Sequence, residues 1–291
     1  MPEIKIAFWG TSRFSVIVLD KMAQNGILPS LIITAPPRKK GRGLEMSQSD
    51  VKVWADAHHV PTLEPEKLDA EFCFRLSTFD FGLFVIASYG KIVPRTVLDL
   101  PKYGTLNVHP SLLPKLRGAS PIQSGILEDV PLFSSHETGV TIMLIDEKVD
   151  HGPIVAQEKI IIPNWPPQGL ELEETLGILG GKLLAKTIPL WIAGTITPKD
   201  QDHDQATYTK KMTSGSGQIY LDDDPVRMYR KIRAFDTWPR AYFITERNGK
   251  DMRVVITEAH VSDGKLILDR VIPEGKKEML YEDFVRGQRG S

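Results

Sequence analysis

Residues Gly104–Ile122 read GTLNVHPSLLPKLRGASPI. Its first half, Thr105-Leu106-Asn107-Val108-His109, is a strand pattern that breaks at Pro110, where the backbone loses a donor. Side chains two residues apart leave the same face of a strand, so Asn107 and His109 stand together at its end. An amide and an imidazole placed side by side can stabilise an oxyanion and move a proton. An ordinary strand end followed by a polar turn is the alternative reading.

Upstream, Ile4–Trp9 is mostly apolar and meets Gly10-Thr11-Ser12, a buried strand running into a helix with Phe14, Val18 and Met22 at helical spacing. Leu31–Ile33, Val60–Thr62 and Phe81–Ala87 (FGLFVIA) read as further strands, with a helix over Val51–His58. Apolar strands separated by helices predict an α/β fold, a Rossmann-like, mostly parallel sheet covered on both faces. Functional groups of such sheets gather at the carboxyl ends of the strands. Downstream, Gly139–Ile145 and Ile154–Ile162 flank a polar turn, Asp146–Gly152, a hairpin that adds antiparallel strands. Leu170–Trp191 is a long helix with Leu172, Leu176, Leu179, Leu183 and Ile188 on one side.

Gly194–Ala206 carries Thr, Pro, Asp and Gln with few apolar residues and reads as a linker. Beyond it, Asp224-Pro225 starts a helix with an acidic cap and proline in the first turn. Val226, Tyr229 and Ile232 are expected to face inward, and Arg227, Arg230 and Lys231 outward. Short strands at Ala241–Thr245, Arg253–Glu258 and Lys265–Asp269 suggest a small OB-like β-barrel domain. The expected organisation is a catalytic domain over residues 1–193, a linker over 194–206 and a β-barrel domain over 207–291.

Of the 291 residues, 41% are hydrophobic and 25% charged, the balance of a globular protein. No apolar run approaches the ~20 residues needed to span a bilayer, and the N-terminus lacks a signal or transit pattern. The single Cys73, read as buried between Phe72 and Phe74, excludes an internal disulfide and any cysteine zinc cluster. These features predict a cytoplasmic location with no membrane contact. The net charge of -1 gives no overall basic character, although 16 Lys/Arg against 13 Asp/Glu from Ala206 onward leave that region at +3. Gly10-Thr11-Ser12 has one glycine where a dinucleotide fingerprint needs three, so no nicotinamide cofactor is expected. The adjacent pairs His58-His59 and Asp150-His151 diverge, no His-Glu-x-x-His spacing occurs, and no metal is expected.

The run Asn107–Pro114 with Arg117-Gly118-Ala119-Ser120-Pro121-Ile122 resembles the central motif of formyltransferases that use 10-formyltetrahydrofolate. Gly139-Val140-Thr141 with Val149-Asp150-His151-Gly152 is similar to that family's second motif, and Tyr89-Gly90 with Pro94 also matches. Gly10-Thr11 with Phe14, Gly41-Arg42-Gly43, Val51-Lys52-Val53, Ala206-Thr207-Tyr208, Ile232–Phe235 and Trp238-Pro239 narrow the likeness to members that formylate initiator methionyl-tRNA. The resemblance spans nearly the whole chain. A member acting on a nucleotide-linked amino sugar is the alternative.

The resemblance implies a catalytic triad of Asn107, His109 and Asp150. Spacing alone does not choose between Asp146 and Asp150; the second motif does. It also implies a folate wall of Ser111, Leu112, Leu113 and Pro114, whose irregular backbone would leave amides and carbonyls free for a pterin, with Tyr89, Gly90 and Val140 lining the same cleft. The basic run Arg38-Lys39-Lys40-Gly41-Arg42 matches a mobile loop that wedges against the acceptor end of the tRNA. A second tRNA surface is expected from Lys210, Lys211, Arg227, Arg230, Lys231 and Arg233. The implied partners are formyl-folate and initiator methionyl-tRNA, taken by a monomer. The run Asp222-Asp223-Asp224 and the lead Ala35-Pro36-Pro37 depart from the family pattern, which bears on tRNA docking and leaves the folate chemistry untouched.

Overall fold

A computed structural model describes residues 4–40, 45–247 and 249–289. They separate into two compact units. The first takes the chain up to Gly118 with Thr138–Ile160 and Glu173–Tyr208; the second takes Ala119–Glu137, Ile161–Leu172 and the chain from Thr209.

The first unit is built on a seven-stranded sheet. Its order is Ile154–Ile162, His136–Leu144, Thr105–His109, Leu83–Ala87, Ile6–Gly10, Leu31–Ile33 and Thr62–Leu63. The five strands from Thr105–His109 onward are parallel, and His136–Leu144 joins antiparallel, with His109 opposite Thr141 and Leu106 opposite Leu144. Ile6–Gly10 and Leu83–Ala87 are buried at every position, which is what strands covered on both faces require. Trp9 anchors one side of the core, its ring 5.2 Å from Tyr89 and 5.6 Å from Phe84.

The expected mostly parallel α/β sheet is therefore present, with local corrections. The strand expected at Val60–Thr62 is Thr62–Leu63, because the Val60 N–H closes the preceding helix on the Ala55 carbonyl (2.9 Å). Cys73 is only partly buried, and Phe74 is 75% exposed; of that trio Phe72 alone enters the core. The basic run forms a two-stranded ribbon, Arg38–Lys40 against Glu45–Ser47. Arg42, with Gly41 and Gly43, lies outside the described residues.

The long helix Gly169–Ile192 approaches the sheet through small residues. A Cβ at Gly180 would lie 2.8 Å from Val108 Cγ1 and 3.1 Å from Val140 Cγ1, so only glycine admits the helix this closely. On the strand itself, Leu106 and Val108 fill the face opposite Asn107 and His109.

In the second unit, an antiparallel sheet runs in the order Tyr242–Arg247, Lys250–Ser262, Lys265–Pro273 and Met279–Leu280, as the short-strand pattern predicts. Helix Pro225–Ala234 starts as expected, with the Asp224 carboxylate accepting from the Arg227 N–H at 2.8 Å. Its Met228 and Ile232 enter a core with Phe243, Val254 and Phe284. The expected outward face needs correction. Arg230 is buried and donates to the Asp129 carboxylate (2.8 Å) and the Val130 carbonyl, while half-buried Lys231 donates to the Gln218 carbonyl (2.9 Å). The helix is covered on a second side by Pro121–Ile126 and the loop after it, a neighbour that helical spacing does not reveal.

Gly139 shows how tightly the hairpin is seated: a Cβ there would lie 2.3 Å from the Glu158 carbonyl oxygen and 2.5 Å from Leu112 Cδ2. A backbone oxygen cannot move aside without shifting the strand. Gly139→Ala is expected to destabilise the protein by about 2 kcal/mol, read as a lowered midpoint in urea denaturation.

Candidate active site

Asn107 and His109 leave the same face of the Thr105–His109 strand, and the structure brings one of the two rival carboxylates to them. After Leu144 the chain bonds back to the strand through Ile145 N–H and the Thr105 carbonyl (3.0 Å), and the turn then folds back across the sheet face. Asp150 Oδ1 accepts from Asn107 Nδ2 at 3.4 Å, and Oδ2 lies 3.6 Å from His109 Nδ1. The shortest contact to this carboxylate is from the Gly118 backbone N–H, 2.7 Å from Oδ2. Asp146 is engaged elsewhere, accepting from His151 Nδ1 at 2.6 Å.

The geometry fixes the tautomer of His109. Its Nε2 lies 2.9 Å from the Leu116 carbonyl, which can only accept, so Nε2 carries a proton. Nδ1 is then the nitrogen that gains or releases a proton, and it faces Asp150. The imidazole is the deeper group, its side chain 5% exposed against 15% for Asp150.

The Ser111–Pro114 segment differs from the free-edged wall expected of it. The Ser111 carbonyl accepts from Thr141 Oγ1 (2.7 Å), which in turn accepts from the Leu113 N–H (3.1 Å). Gln157 Nε2 donates to the Leu113 carbonyl (3.1 Å), and the Pro114 carbonyl takes the Thr207 N–H (3.3 Å). Most of the groups reserved for a pterin already have partners inside the unit. Ser111 and Leu113 are buried, and only Leu112 and Pro114 keep partial exposure. Val140 has no exposed surface and Tyr89 is 4% exposed, so neither side chain lines an open cleft; Gly90 is exposed, with φ at +80°.

The support behind this site is not evident in the sequence. Arg117, 1% exposed, directs Nε and Nη2 at Gln201 Oε1 (3.1 and 2.6 Å), Nη2 also at His203 Nδ1 (2.9 Å), and Nη1 at the Tyr208 hydroxyl (3.3 Å). His203 stacks on His151, ring centres 3.9 Å apart. Gln201 lies in the stretch expected to be a linker, yet is 5% exposed. The central motif carries Arg117 openly, whereas nothing in the polar run around Gln201 marks it.

The expected tRNA residues divide by their partners. Arg38, Lys39, Lys210, Lys211 and Arg227 are exposed. Arg233, like Arg230 and Lys231, has internal partners, donating to the Pro166 carbonyl at 3.1 Å and lying 3.9 Å from Glu171. Among the described residues, no group of three or more His, Cys, Asp or Glu side chains could hold a metal ion, and no helix is long and apolar enough to cross a membrane.

An amide, an imidazole and a carboxylate thus meet at the carboxyl end of an internal strand of a mostly parallel sheet, a set of groups able to stabilise an oxyanion and move a proton. The sequence model of the formyl transferase family matches residues 4–171, and the chain belongs to that family. A methionyl-tRNA formyltransferase of Halalkalibacterium halodurans is 37% identical, over 98% of this chain and 95% of that protein. The fold is shared with the methionyl-tRNA formyltransferase from Clostridium thermocellum (TM-score 0.60, 17% identity, 93% of this chain and 98% of that one). It is also shared with the N-formyltransferase from Helicobacter canadensis in complex with folinic acid and dTDP-3-aminofucose (TM-score 0.62, 21% identity, 89% and 88%).

Burial pushes the Tyr89 phenol up to about 12, and its hydroxyl has no partner among the described residues. The unfolded phenol releases its proton near 10.0, so the folded state binds one more proton between these values. This contribution is complete below pH 10 and is lost as pH rises towards 12, by about 1.4 kcal/mol per unit. Tyr89→Phe should leave stability at pH 7 nearly unchanged and flatten its decline above pH 10, measured as urea midpoints across the alkaline range.

Proposed function

We propose that this chain transfers the formyl group of 10-formyltetrahydrofolate to the α-amine of initiator methionyl-tRNA, with Asn107, His109 and Asp150 as its catalytic groups. The observation that carries this reading is the Asp150 carboxylate turned towards both Asn107 and His109. In the reaction the amine nitrogen bonds to the formyl carbon, the carbonyl oxygen gains negative charge, and the bond to the folate nitrogen breaks. The amine loses a proton and the leaving nitrogen gains one.

Asn107 Nδ2 supplies a neutral donor to the charged oxygen. Asp150, more exposed than the imidazole, meets the amine and stabilises the imidazolium formed when His109 Nδ1 takes the proton. Nε2 is held by Leu116, so the ring does not turn during the transfer. The folate is held on this side of the sheet by the half-exposed edge of Leu112 and Pro114 and by Gly90. The methionyl-tRNA substrate is supported by the 37% identity to the H. halodurans enzyme over 98% of the chain; the sugar enzyme supports the fold alone.

For the tRNA, the Arg38–Arg42 run and the exposed Lys210, Lys211 and Arg227 are the proposed phosphate contacts. With methionyl-tRNA, a nucleotide-linked amino sugar and glycinamide ribonucleotide offered in parallel, formylation is expected on methionyl-tRNA; preferred formylation of the sugar would overturn the substrate assignment. His109→Ala, Asp150→Asn and Asn107→Ala should each lower kcat by about 10²–10⁴ with an unchanged circular dichroism spectrum. Arg42→Ala should raise KM for the tRNA at least tenfold and leave KM for the folate within twofold; equal losses for both substrates would remove Arg42 from the tRNA contact.

A further inference from the structure

Asp150 can serve His109 and Asn107 only while its carboxylate keeps its aim, and its own backbone does not favour the position. Its φ is +48°, in the left-handed region that L residues rarely adopt. A buried amide binds the backbone of the turn on both sides of His151. Gln201 Nε2 has two hydrogens, and they go to the Asp150 carbonyl (3.0 Å) and the Gly152 carbonyl (2.7 Å), spanning the turn. Its Oε1 accepts twice from Arg117, at 3.1 and 2.6 Å. The residue after Arg117 is Gly118, whose N–H holds Asp150 Oδ2. One amide thus ties the backbone of the catalytic turn to the same segment that holds its side chain, using all four of its hydrogen-bonding positions.

No other side chain of this size meets that demand. Glutamate could accept from Arg117 but has no hydrogens for the two carbonyls, and methionine fills the space without either function. Arg117 is itself turned from solvent, so its guanidinium depends on Gln201, His203 and Tyr208 for partners.

We infer that Gln201 is a positioning residue for Asp150, one that sets the aim of the carboxylate at Asn107 and His109 without touching substrate. The inference rests on the proposed roles of those three groups. Its test uses Gln201→Met and Gln201→Glu in the full chain, with steady-state kinetics for both substrates and amide hydrogen exchange at Gly118. Both substitutions are expected to lower kcat ten- to a hundredfold, to leave each KM within twofold, and to speed Gly118 exchange at least tenfold. In an Asp150→Asn chain, measured by single turnover, Gln201→Met should cost less than a further twofold, because its effect runs through the carboxylate. A kcat within twofold of the unaltered chain, an unmoved Gly118 amide, or an undiminished loss in the Asp150→Asn chain would each overturn it. If Gln201→Met does not fold, Gln201→Glu, which keeps a partner for Arg117, carries the same measurements. Should the unaltered chain formylate none of the three amine acceptors, the proposed reaction falls, and Gly118 exchange alone decides whether Gln201 holds the turn.

Discussion

The Asp150 carboxylate has two oxygens and three neighbours to satisfy, and the arrangement of the first unit follows from how they are shared. Oδ2 is anchored by the Gly118 N–H at 2.7 Å, a backbone donor that cannot swing away, and is also the oxygen facing His109. Oδ1 is left with one long contact to Asn107, at 3.4 Å. A carboxylate bound firmly at one oxygen and loosely at the other has a fixed direction and spare acceptor capacity. That combination suits the role proposed for it, to hold an imidazolium and still meet an incoming amine.

Thr141 has a similar role in the layer beneath. It pairs with His109 in the strand register, is fully buried, and its hydroxyl donates a hydrogen bond to the Ser111 carbonyl while accepting from the Leu113 N–H. An irregular segment after a strand would ordinarily carry unpaired backbone groups. Here the Thr141 hydroxyl, the Gln157 amide and the Thr207 N–H take up those groups, so the segment behaves as a strut. Its rigidity bears on His109, because Leu116, whose carbonyl fixes the ring, lies just beyond it.

How far the sequence reveals this depends on whether a feature is local. The strand ending at His109, the helix cap at Asp224 and the buried runs at Ile6–Gly10 and Leu83–Ala87 follow from periodicity and turn chemistry over a few residues, and the structure contains them. The choice of Asp150 over Asp146 is not local. Both lie in one turn, and Asp146 is nearer the strand, but Ile145 is bonded at the Thr105 end and the turn must double back before a carboxylate reaches His109. Only the motif resemblance could choose it. Gln201 is harder still, because a glutamine in a polar, Asp-rich run reads as solvent-facing, and its burial depends on carbonyls some fifty residues away.

The basic helix shows the same limit from the side of charge. Counting Lys and Arg from Ala206 onward suggests a cationic surface, yet a cation contributes to such a surface only if its field is not already cancelled nearby. Arg230 faces the Asp129 carboxylate at 2.8 Å, Arg233 approaches Glu171, and Arg227, exposed as it is, has Asp223 at 3.8 Å. Lys231 is spent on the Gln218 carbonyl. Helical spacing assigned these residues by a single apolar stripe, whereas a helix covered on two sides has two inward faces, and the longest cations are the side chains able to reach partners along the second. The helix therefore serves first as a structural brace of its unit. Lys210 and Lys211, by contrast, are exposed and have no ion pair among the described residues.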